Sequence, residues 1–94
     1  MDTLKRAKQL IEQNRIYPEN IKSIAIEADK RWLGNYSVWI TIDNWRQQHR
    51  YSPFIKLAEF SEYEHAEELA LTIEFDIVPD RDKIKTFYCK KRGV

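Results

Sequence analysis

Residues 21–42 read IKSIAIEADKRWLGNYSVWITI, and the way this stretch pairs with itself decides the fold. Ile24, Ile26 and Ala28 alternate with Ala25, Glu27 and Asp29. Tyr36, Val38, Ile40 and Ile42 alternate with Ser37, Trp39, Thr41 and Asp43. Alternation with period two marks a strand that buries one face. Residues 21–32 and 36–43 are therefore expected to form an antiparallel hairpin. A two-residue turn at Gly34-Asn35 would pair Ala28 with Thr41 and set the apolar residues of one strand on the polar side of the other. A three-residue loop over 33–35 avoids this. It pairs Trp32 with Tyr36, Ala28 with Ile40 and Ile26 with Ile42, so both apolar sets share a face. Trp39 then falls on the opposite face, among Ser37, Thr41, Glu27, Asp29 and Arg31, either exposed or covered by another element.

Working outward, residues 2–16 carry Leu4, Ala7, Leu10 and Ile11 at helical spacing, with Asp2 or Thr3 to cap the start. Pro18 stops this helix, because it disfavours the helical state at Tyr17. After the hairpin, Trp45, Gln47, His49 and Tyr51 alternate with Arg46, Gln48 and Arg50, which fits a polar third strand over 46–52. Phe54, Ile55, Leu57 and Phe60 read as apolar residues leading into a second helix. Ser61 and Glu64 have the spacing of a capping box, and Ala66, Leu69, Ala70, Ile73 and Ile77 form one stripe behind it. Pro79-Asp80 marks a turn. Ile84, Thr86 and Tyr88 alternate with Lys85, Phe87 and Cys89, so residues 83–90 read as a last strand. The basic residues 90–94 read as a frayed tail. The expected architecture is a single α+β domain over residues 1–94, of order α-β-β-β-α-β, with a mostly antiparallel sheet packed against two helices.

Charge is sorted along the chain. From Leu57 to Asp80 there are eight acids and no Lys or Arg, between two basic arms that outweigh them by one unit. This pattern speaks to surfaces and partners. The α-β-β-β-α portion resembles double-stranded-RNA-binding domains in element order. In that family the second helix begins basic and meets phosphates. Here it begins Ser61-Glu62-Tyr63-Glu64-His65-Ala66-Glu67-Glu68, so double-stranded RNA is excluded as a partner.

Chemistry has few residues to work with. His49, His65 and Cys89 show no metal-ligand spacing, and no metal or other cofactor is expected. Two glycines leave no phosphate-cradling loop. The glutamates crowd one helix, where they solvate a face and suit the helix dipole. No catalytic residue is assigned, and the protein is read as a non-enzyme. A small enzyme built on Cys89 or a carboxylate is the third reading.

Binding is the stronger reading. Trp39, Trp45, Arg46, His49, Arg50 and Arg31 form the candidate surface, since Trp and Arg are enriched in binding hot spots. The acidic helix face of Glu62, Glu67 and Glu68 would orient the encounter with a protein partner. The alternative is single-stranded nucleic acid bound over residues 39–51, where aromatic and cationic residues interleave. A single cysteine favours a cytoplasmic setting. No apolar run reaches the roughly 20 residues that span a bilayer, and the first helix lacks the aromatics of a membrane-surface helix, so no membrane partner is expected.

Overall fold

The computed structural model describes residues 2–29 and 35–89. Helix α1 covers Thr3–Gln13, strand β1 Ile21–Ala28, β2 Tyr36–Ile42, β3 Phe54–Phe60, helix α2 Tyr63–Thr72 and β4 Lys85–Tyr88. A π-helical turn over Ile73–Ile77 extends α2. The sheet order is β3-β2-β1-β4. The β1–β2 and β2–β3 pairs are antiparallel, and β4 lies parallel to β1. This is the expected α+β architecture and element order, with one parallel pair at the edge.

Alternation predicts the faces of the sheet. Ile24, Ile26, Val38, Ile40 and Ile42 are buried on one face, joined by Ile55 and Leu57 of β3. Helix α2 covers this face with Ala66, Leu69, Ala70 and Ile73, all buried. The two alanines let the helix backbone come close to the strands. Helix α1 packs on α2 and the π-turn, where Ala7 and Ile11 are buried. Asp2 caps α1 by accepting from the Leu4 N–H at 3.0 Å.

Helix α1 ends three residues before the expected 16. Arg15 takes a positive φ of 56°. The Ile16 N–H reaches the Ile11 carbonyl, and the Arg15 N–H reaches that of Glu12, each at 3.0 Å. This is a Schellman ending with arginine where glycine is usual, and buried Ile16 supplies its apolar contact.

Four further expectations are corrected. First, Ala28 pairs with Tyr36, Ile26 with Val38 and Ile24 with Ile40, so the hairpin is displaced by four residues from the expected register. The displacement is even, so both aliphatic sets still share a face. The expected pairing of Trp32 and the turn at Gly34 lie outside the described residues. Second, residues 46–52 are not a strand. The N–H groups of Gln48, His49 and Arg50 bond back to the carbonyls of Asn44, Arg46 and Trp45, closing a helical turn. The strand beside β2 is β3 instead. Its Ile55 and Leu57 can be buried under α2, whereas the polar 46–52 segment has no aliphatic face to offer. Third, Ser61 and Glu64 form no capping box: Glu62 is the N-cap residue of α2 and makes no side-chain capping bond. Fourth, the last strand is four residues long, against the eight expected. The basic residues 90–94 lie outside the described residues.

Candidate functional site

No element among the described residues covers the second face of the sheet, and register places its residues in rows. One row runs Lys56, Trp39, Ala25, Phe87 across β3, β2, β1 and β4. The next runs Phe54, Thr41, Ser23, Lys85, and a third brings Glu59, Ser37 and Glu27 together. Ser23 and Thr41 join their hydroxyls across the β1–β2 pair. Small residues thus form a floor between aromatic side chains. Phe54 and Phe87 stand at the two edges, 61% and 60% exposed. Trp39 lies between them, half-buried, and its indole Nε1 is shielded from solvent with no hydrogen-bond partner among the described residues. Helix α1 lies on the other side of the sheet, so it is not what shields Trp39.

These residues line a groove of about 440 Å³ bounded by Ser23, Ala25, Glu27, Trp39, Thr41, Phe54 and Phe87. A second hollow of about 570 Å³ shares Ser23, Thr41, Phe54 and Phe87 with it and runs on past Trp45, Lys83 and Lys85. Three ion pairs sit on or beside the face: Lys56 with Glu59 at 2.9 Å, Lys22 with Asp43 at 3.4 Å and Lys83 with Asp80 at 3.8 Å. Lys22 is the extra residue of a bulge in β1, and Leu57 that of one in β3.

The structure divides the candidate residues read from the sequence. Trp39 and Trp45 both border the open face. Arg46 stacks on Trp45, its guanidinium 5.0 Å from the ring centroid. His49 is exposed and holds a positive φ of 58°, ending the helical turn. Arg50 turns toward the end of α1. Its Nε donates to Gln48 Oε1 at 2.8 Å and its Nη2 donates to the carbonyls of Asn14 and Arg15. Those carbonyls belong to the negative end of α1, so Arg50 clamps the connection to the helix. Arg31 lies outside the described residues.

The acidic helix spends part of its charge inside the molecule. Glu68 accepts from the Thr3 hydroxyl, tying α2 to α1. Tyr63 lies beside Glu67, and partial burial, then that carboxylate, raises its phenol above the ordinary value. Tyr88 donates to Glu74 Oε1 at 2.9 Å. Burial, then this bond to Glu74, raises the Tyr88 phenol strongly. Glu62 is exposed at the start of α2. Cys89 is half-buried, with its N–H bonded to the Ile26 carbonyl.

Phe54, Phe87 and Lys85 are site residues that sequence reasoning did not select. Phe87 carried a signal: it shares the polar parity of the last strand with Lys85. Phe54 carried none, because its strand was read elsewhere. Among the described residues, no group of three or more His, Cys, Asp or Glu is placed to hold a metal, and no helix is long and apolar enough to cross a membrane. No protein-family model matches the chain, and no curated protein or solved structure matches it either.

Proposed function

We propose that this protein is a non-catalytic interaction module that docks a protein partner on the sheet face that no described element covers. The observation that carries this reading is the groove of Trp39, Phe54 and Phe87 over a floor of Ala25, Ser23 and Thr41. Two largely exposed phenylalanines on one sheet face are costly in water, and covering each would contribute about 1–2 kcal/mol. The lysines around the groove are mostly matched by nearby acids. That balance supports a protein partner over a phosphate backbone, which needs unmatched cations. A cytoplasmic setting rests on the cysteine content, Cys89 alone.

Single-stranded nucleic acid is the second reading, favoured by Arg46 stacked on Trp45 beside the second hollow. Affinity capture from the source cell, with wild type and Phe87→Asp compared, tests the first. Wild type is expected to retain a protein that the variant loses while keeping its circular dichroism spectrum. Equal retention of a captured protein overturns the docking reading, as does a chain that captures nothing and is monomeric in solution. Tryptophan quenching by oligothymidylate that fades steeply with salt would transfer the face to nucleic acid.

A further inference from the structure

We infer that the occupant of the open face is a second copy of this chain, docked face to face about a two-fold axis perpendicular to the strands. The inference rests on the docking reading above and names its partner. The strands present five charges to this face, Lys22, Glu27, Lys56, Glu59 and Lys85, and Lys22 is held by Asp43 at 3.4 Å. Lys56 and Glu59 satisfy each other at 2.9 Å. Glu27 and Lys85 remain, and they lie at opposite ends. Lys85 stands beside Ser23, and Glu27 is four residues further along β1, roughly 13 Å away. Midway between them runs the row of Phe87, Ala25 and Trp39, which ends at Lys56, whose charge is already met by Glu59.

A two-fold axis along that row turns one sheet over onto the other and exchanges the ends of the strands. Each Lys85 then meets the end that carries Glu27 in the other copy, twice by symmetry. Phe87 and Trp39 of each copy pack against the same row of the other, with alanine leaving room between them. An axis parallel to the strands would instead bring lysine end to lysine end, and it is disfavoured by charge. The contact is isologous and closed, so it yields a dimer and not a filament. Two sheets facing at the roughly 10 Å spacing of a sandwich need side chains of this size between them.

The size of the face sets the strength. Strands of eight, seven, seven and four residues give a planar footprint of roughly 400 Å² per copy. A standard interface buries about 800 Å² per partner, so the dimer is expected to be weak and concentration-dependent.

Sedimentation equilibrium of the full chain, over a wide concentration range and at low and high salt, tests this. Wild type should show a reversible monomer–dimer equilibrium that weakens as salt rises. Glu27→Lys and Lys85→Glu alter exposed residues and should keep the fold. Each alone should weaken the dimer roughly three- to thirtyfold, as expected for two symmetry-related surface pairs. The combined variant should recover most of the loss. A chain monomeric throughout, a dimer indifferent to both reversals, or no recovery in the combined variant overturns the inference. The two readings fail separately: a monomeric wild type whose captured protein is still lost by Phe87→Asp removes only the second copy as the occupant, and equal capture by wild type and Phe87→Asp removes the docking reading itself.

Discussion

The two faces of this sheet are made by the same strands and have opposite fates. On the inner face Ile24, Val38 and Ile40 are fully buried beneath α2. On the outer face Trp39 is half-buried and Phe54 and Phe87 stand largely in water. The contrast is sharpest in β4, where Phe87 points outward and its neighbour Tyr88 turns inward to Glu74. Alternation alone would make the outer face polar. Three aromatic residues there are not accounted for by packing among the described residues, whereas the inner face is.

The largest expected effect tests whether the faces differ in what they contribute to folding. Ile40→Ala should cost about 2–5 kcal/mol in chemical denaturation, through lost burial and a cavity. Phe87→Ala should change stability by less than about 1 kcal/mol, because its ring is already wet. Similar losses for both would mean the outer face belongs to the core.

A smaller effect concerns the inner anchor of β4. Tyr88→Phe removes the hydroxyl that meets Glu74 and should cost about 1–2 kcal/mol near neutral pH. The Tyr88 phenol is raised in the folded protein, so its proton is held more tightly there than in the unfolded chain. That contribution is fully present below the ordinary tyrosine pKa near 10 and is lost as pH climbs above it. Denaturation midpoints of wild type should therefore fall above that pH, and those of Tyr88→Phe should fall less. Parallel curves would show that Tyr88 does not couple to folding.

The smallest effect sharpens the reading of Trp39. Its Nε1 is shielded and has no acceptor among the described residues, an arrangement that costs about 1–3 kcal/mol. Trp39→Phe removes that cost along with some buried ring, so the net change should stay within about 1 kcal/mol. A loss well beyond that would show that the indole N–H is satisfied in solution.

Much of the fold was legible in the sequence, and the larger failures, as distinct from the local ones at the helix ends, have one kind of cause. The stripe of Ala66, Leu69, Ala70 and Ile73 and the alternation of Ile24 and Ile26 with their neighbours are local patterns, read within a turn or two of chain. Residues 46–52 also alternate, but they lack an aliphatic side, and the competition with Ile55 and Leu57 for the place beside β2 is decided across the sheet. Arg50 looked like a binding residue because its type is common in interfaces. Its contacts with the carbonyls of Asn14 and Arg15 span more than thirty positions and leave no mark on spacing. Phe87 was readable as a residue of polar parity, but its approach to Trp39 and Ala25 was not, since it depends on β4 lying beside β1.

By itself, the sequence determined which residues of the hairpin share a face, where the two long helices lie and where charge collects. Periodicity and composition are properties of neighbours along the chain. Only the tertiary structure decided the hairpin register, the identity of β3, the parallel pairing of β4 and which face α2 covers. Each of these is a choice among non-local pairings that local patterns do not distinguish. A slip of four residues in the hairpin keeps every side chain on its own face, so parity cannot detect it, and the final arrangement is selected by how the whole aliphatic set fits under one helix.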